Sequence, residues 1–138
     1  MSIMEINLAL AKKIITAGIE SAKTNNLLCS IAVVDDNGWL VALHRMDGAL
    51  IPTADIAHDK AWTAAVFKLP TSEVICFGNH ESPGAGFNTR NWNDRLTIIP
   101  GGLPVEVNGR VIGGIGVCGG TPDQDVSICH AAILAVSI

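Results

Sequence analysis

Four histidines, one helix lysine and two arginines carry most of the chemistry open to this 138-residue chain. Neutral imidazole ligates metals and moves protons near neutrality, so His44, His58, His80 and His130 come first. His58 precedes Trp62 by one helical turn. A flat aromatic beside a histidine suits the edge of a planar macrocycle, with His58 as candidate ligand to its metal. A histidine in a subunit interface is the plain alternative. His44 shares a strand face with Ala42, whose small side chain leaves room beside the ring. Its alternative is a core imidazole bonded to backbone. His80-Glu81 could form an acid–base pair or a weak metal site, although neighbours on an extended loop point apart. His130 reads as surface or interface.

Lys60 could bind a carboxylate or phosphate, or be a helix charge with a buried stem. Arg90 and Arg95 could clamp a carboxylate bidentately. Equally, Arg95 could pair with Asp94 or Asp123 and tie its loop down. Asp47 and Asp125 read as a turn residue and an N-terminal helix charge. The cysteines, Cys29, Cys76, Cys118 and Cys129, lack CxxC or zinc-like spacing and read as reduced, buried thiols. Gly114-Ile115-Gly116-Val117-Cys118-Gly119 is a literal GxGxxG. A dinucleotide site also needs a following parallel strand and an acidic residue about 20 positions on. Neither follows here, and no nucleophile elbow or paired-carboxylate spacing appears. The residues alone write no reaction.

The elements that must position these groups are legible in outline. Asn108-Gly109 between β-branched runs predicts a type I′ hairpin. On the strand after it, Val111, Gly113, Ile115 and Val117 point one way. Ile112, Gly114, Gly116 and Cys118 point the other, leaving that face almost without bulk. Glycines there admit a helix, a ligand or another subunit close to the backbone, which makes Gly114 and Gly116 candidate ligand-binding positions. Residues 3–24 predict a helix, through the capping-box spacing of Ser2 and Glu5 and the period of Leu8, Ala11, Ile15, Ile19 and Ala22. Strands at 29–34 and 39–46 flank Asp35-Asp36-Asn37-Gly38. Pro52 opens a helix to about Phe67, with Ala54, Ala57, Ala61 and Ala64 as a small-residue edge. A short helix near 72–78, an irregular segment at 79–95 and a strand at 96–99 follow. Thr121-Pro122-Asp123 caps a last helix running to the end. The order α-β-β-α-α-β-β-β-α over one domain, 1–138, predicts an α+β fold with helices on an antiparallel sheet.

Apolar residues make up 49% of the chain and charged residues 16%, against about 25% charged in ordinary domains. Too few charges to cover the surface predict a homo-oligomer, dimer or higher. A net charge of -4 without a Lys/Arg cluster argues against nucleic acid or an anionic membrane as partner. Met1-Ser2-Ile3-Met4-Glu5 lacks a signal-peptide pattern, and no apolar run approaches the ~20 residues of a membrane span. The expected location is cytoplasmic.

Several motifs together suggest kinship. They are Arg45-Met46-Asp47-Gly48-Ala49, Lys60-Ala61-Trp62-Thr63-Ala64, Gly101-Gly102-Leu103-Pro104, the run Gly113 to Gly119, and Asp125. On these, the chain resembles the GlcG/HbpS-like family, which includes the C-terminal domain of PduO-type corrinoid adenosyltransferases. The resemblance implies a profilin-like, five-stranded antiparallel sheet of order 2-1-5-4-3 between helices, assembled into oligomers. It implies haem binding or degradation near glycolate or diol utilisation. Cys118 stands where many members carry serine. No histidine precedes His44, whereas haem-binding members place one near the first helix. The expected function is a small-ligand-binding protein for haem or a related tetrapyrrole such as a corrinoid. Its pocket would be bounded by the second helix, the glycine-rich strand and the long loop, with His58 as iron ligand and His44, Lys60, Trp62, Arg90 and Arg95 around it. Two other readings stand. One is an enzyme on a small organic acid or aldehyde, using Lys60 or an arginine for the anion and a histidine for the proton. The other is a structural partner of a larger enzyme complex.

Overall fold

An antiparallel ladder grown from the Asn108-Gly109 turn sets the floor of the molecule. The computed structural model describes residues 4–76 and 93–136. Both turn residues take positive φ, 52° and 78°, as a type I′ turn requires. The turn joins β3 (Gly102–Val107) to β4 (Arg110–Cys118). On its other side β4 pairs with β1 (Ser30–Asp35), which pairs with β2 (Leu40–Arg45). The sheet has four antiparallel strands in the order β2-β1-β4-β3.

That corrects the expected five strands and the order 2-1-5-4-3. Residues 96–99 join no ladder among the described residues. Thr63 Oγ1 accepts the Thr97 N–H at 3.1 Å, and Thr97 Oγ1 accepts the Ile99 N–H at 3.2 Å. Hydroxyls take the donors that a strand would have offered its neighbour.

Helix α1 (Leu8–Thr24) starts later than residue 3, because Asn7 Oδ1 accepts the Leu10 N–H at 2.8 Å and becomes the N-cap. Helix α2 (Pro52–Phe67) runs as expected and ends on Lys68 in a left-handed conformation. Helix α3 (Pro122–Ile133) opens with a capping box between Thr121 and Gln124. Short 3₁₀ turns cover Thr71–Cys76 and Leu134–Val136. Helices α1 and α3 lie on one face over Ile31, Val33, Ile115 and Val117; α2 lies on the other over Ala32 and Val34.

The bare glycine face is occupied by the chain itself. Opposite one another in register, Ala32 and Gly116, then Val34 and Gly114, form the floor under α2. A Cβ at Gly114 would strike the Ala61 carbonyl, and one at Gly116 the Ala57 carbonyl. Ala57, Ala61 and Ala65 supply the matching small side of the helix. Gly114 and Gly116 therefore face α2, not a ligand space. Ile112 also moves from its expected face. The β3–β4 register shifts between Val105 and Glu106, so Val105 faces Gly113 and Glu106 faces Val111. Ile112 is the extra residue of this bulge and joins Ile115 and Val117 in the core under α1 and α3.

This contact makes a direct prediction. Gly116→Ala should lower unfolding free energy by about 1–3 kcal/mol or more, the usual cost of overpacking. Urea denaturation reads it, and a variant of wild-type stability would contradict the contact.

Candidate functional site

Lys60 sits in helical register with Ala57 and Ala64, on the side of α2 that meets the sheet, and is only 1% exposed. Its Nζ donates to the Val117 carbonyl at 2.9 Å and to Asp125 Oδ2 at 3.1 Å. Asp125 Oδ1 accepts the Gly120 N–H at 2.8 Å. Gly101 makes room for the ammonium, since a Cβ there would stand 2.6 Å from Nζ. Burial pushes the Asp125 carboxyl above the ordinary carboxylate range, against the pull of the Gly120 N–H and the ammonium. Lys60 is thus sealed in the interior and holds no substrate anion, and Asp125 is more than a helix-end charge. The alanine spacing around Lys60 was the signal that could have shown its inward direction.

His58 and Arg95 do meet, in a way that works against metal ligation. Arg95 Nη1 donates to His58 Nδ1 at 3.0 Å and to Asp59 Oδ1 at 3.0 Å. The neutral ring then carries its proton on Nε2. Burial, then the Arg95 guanidinium, lower the His58 pKa, so the neutral ring is favoured. A metal-ligating histidine ordinarily donates its second N–H to an acceptor. Here that nitrogen faces a cation, so His58 is not arranged as an iron ligand. Arg95 is tied to Asp59 rather than to Asp94 or Asp123. The Trp62 ring packs over the β1–β2 turn, where a Cβ at Gly38 would lie 2.9 Å from Nε1. Arg90, His80 and Glu81 lie outside the described residues.

An opening lies elsewhere, between the end of α1 and the end of β2. It is a groove of about 910 Å³ lined by Ile19, Lys23, Leu27, Leu28, His44 and Met46, together with Asn26, Arg45 and Asp47. Its volume lies in the ~300–1,000 Å³ range of small-molecule sites. Asn26, at φ 57°, turns the chain out of α1 and delivers Leu27 and Leu28 to the wall. The Met46 N–H donates to the Cys29 carbonyl at 3.0 Å, while Met46 Sδ accepts the Cys29 N–H at 3.3 Å. Strand alternation puts His44 on the α1 side, paired with Ile31. Its exposed ring makes no hydrogen bond or ion pair among the described residues. Arg45 Nη1 donates to the Ala49 carbonyl at 3.1 Å. Of this lining only His44 stood out in the sequence as a site residue; the signal for the rest was the motif Arg45-Met46-Asp47-Gly48.

Other chemistry is muted. Burial pushes the Cys29 thiol up to about 11 and raises Cys118 and Cys129 as well, so these sulfurs stay protonated near neutrality. Among the described residues no group of three or more His, Cys, Asp or Glu could hold a metal ion, and no helix is long and apolar enough to cross a membrane.

A family model described as "Haem degrading protein HbpS-like" matches residues 6–134. The chain belongs to the HbpS-like family. It is 42% identical to protein GlcG of Escherichia coli K12 over 108 residues, 78% of this chain and 77% of that one. The Klebsiella pneumoniae protein ORFY superposes with a TM-score of 0.87 at 34% identity, covering 99% of this chain and 94% of that one. The crystal structure of the PduOC:heme complex superposes with a TM-score of 0.85 at 27% identity, covering 97% of this chain and 96% of that one.

The Lys60–Asp125 pair and the His58–Arg95 contact each make a prediction for this HbpS-like chain. Lys60→Met strands Asp125 without its counter-charge and should cost about 3–5 kcal/mol of stability, read by chemical denaturation; a loss under 1 kcal/mol would contradict the pair. The lowered His58 pKa means that the folded chain takes up this proton less readily than the unfolded one. Its contribution is complete above the ordinary value of about 6.5 and is lost as pH falls through the lowered value. His58→Gln should flatten the fall in urea midpoint between about pH 7 and 5, the window that opens at the ordinary histidine value. An unchanged slope would contradict it.

Proposed function

We propose that this HbpS-like protein binds haem or a related tetrapyrrole in the groove between α1 and β2, with His44 turned toward the metal. The carrying observation is His44 itself, an imidazole with no partner among the described residues, on the wall of a groove with apolar sides. Ile19, Leu27, Leu28 and Met46 suit a flat apolar macrocycle. Lys23 and Arg45 line the same groove as cations that suit the macrocycle's carboxylates. Likeness to the PduOC:heme complex supports the ligand class. When bound, haem supplies a redox-active iron; the chain's own residues hold it, orient it and shield one face. The groove needs no residue in helix 1 as metal ligand, which matches the lack of histidine before His44.

The protein acts as a homo-oligomer, dimer or higher, in the cytoplasm. Trp39, Leu50 and Ile51, exposed by 73%, 74% and 78%, support burial against other copies. A role accessory to glycolate- or diol-type metabolism is part of this reading and rests on the resemblance carried by the sequence motifs. The enzyme reading built on Lys60 loses its anion holder, since that ammonium is neutralised inside the fold.

Titration of purified protein with haemin tests the ligand. A sharpened Soret band is expected, and His44→Ala should weaken binding by at least about tenfold, as even outer-shell changes at a metal ligand do. His58→Gln should leave the band and the affinity unchanged. No Soret change, or a His44→Ala variant that binds like wild type, would overturn the assignment.

A further inference from the structure

We infer that Lys60 and Asp125 are positioning residues for the groove, acting through Gly119 and Gly120 on Leu28, Cys29 and Met46. The inference rests on the groove being the ligand site. Its first link is the ion pair, in which Lys60 Nζ also holds the Val117 carbonyl at the end of β4. Asp125 Oδ1 then fixes the Gly120 N–H at 2.8 Å. One carboxylate is thereby held by a charge from α2 and by the backbone just after β4, so that turn has one orientation relative to both helices.

Gly119 passes this orientation on by contact. Its φ of 152° and its crowding admit no side chain: a Cβ would strike the Leu28 carbonyl and lie 2.7 Å from Cys29 Cα. A shift of Gly119 toward this side would press on Leu28 and Cys29. Cys29 is bonded through both its N–H and its carbonyl to Met46, by way of Sδ and the Met46 N–H. Leu28 and Met46 are groove wall. The path runs from a charge pair inside the fold to an apolar surface through hydrogen bonds, the chain itself and the close approach of Gly119 to Leu28 and Cys29. A buried pair is a weak source of net stability but can specify one geometry. That gives the two buried charges a role that two apolar side chains could not take over.

The test uses the whole chain with ¹³C-methyl-labelled methionine and haemin as probe. Lys60→Met/Asp125→Leu removes both charges, so it should fold without an orphaned ion. In the ligand-free variant the Met46 methyl resonance should shift or broaden, and haemin affinity should fall by about tenfold or more. Lys60→Met/Asp125→Asn keeps an acceptor for the Gly120 N–H and should restore both readouts toward wild type, which a purely packing role would not do. Lys60→Met/Asp125→Ala takes the place of the leucine variant should the latter fail to fold. Met46 resonance and haemin affinity within twofold of wild type in a folded double variant would overturn the inference. If wild type binds no haemin, the groove assignment fails, while the Met46 resonance still decides whether the pair positions that wall.

Discussion

A lysine ammonium and an aspartate carboxylate, each at most 3% exposed and 3.1 Å apart, hold α2, the end of β4 and the start of α3 in one arrangement. Much of the surrounding chain is shaped to admit them. Gly101 clears space for the ammonium, and the glycines at 119 and 120 bring backbone N–H groups to the carboxylate. Cys129 Sγ donates to the Gly101 carbonyl at 3.2 Å, and the Val117 N–H donates to the same oxygen at 2.8 Å, closing the shell around the pair. Desolvation is a heavy cost for two ions, and their attraction offsets it only while this geometry holds. The arrangement is specified more than it is stabilised.

The same economy of space runs along β4. Glycines at 114 and 116 let the α2 backbone settle onto the sheet through alanines, with no room left for a guest. Where the chain does leave room is the margin, at the outer strand β2 and the last turn of α1. There a left-handed Asn26 and a sulfur-bonded Met46 hold an open wall beside an imidazole that has no partner among the described residues. Close packing within and an unfilled margin are two results of one design: the core takes the small residues, and the edge keeps the reactive ones.

The sequence was most informative where a residue type leaves one conformation. Asn108-Gly109, Pro52, and Thr121-Pro122-Asp123 set the hairpin and two helix starts. It was least informative where one tertiary contact decides. Thr63 and Thr97 hydroxyls displaced a strand at 96–99, and one bulge turned Ile112 to the opposite face. The bare face of Gly114 and Gly116 was visible in the sequence, but glycine fits a helix backbone and a ligand equally well, and alternation cannot separate them. Lys60 and Asp125 lie 65 positions apart, and no local pattern joins them. The His58–Trp62 spacing was real, yet the structure spends the ring nitrogen on Arg95 and the indole on the β1–β2 turn.

What separates the margin groove from the helix face as ligand site is where a paramagnetic iron would be felt. Ferric haem added to isotopically labelled protein broadens nuclear resonances near the metal. Broadening centred on His44, Met46 and Leu28, with Trp62 and His58 left sharp, is the result expected here. Broadening centred on His58 and Trp62, with His44 unaffected, would contradict it.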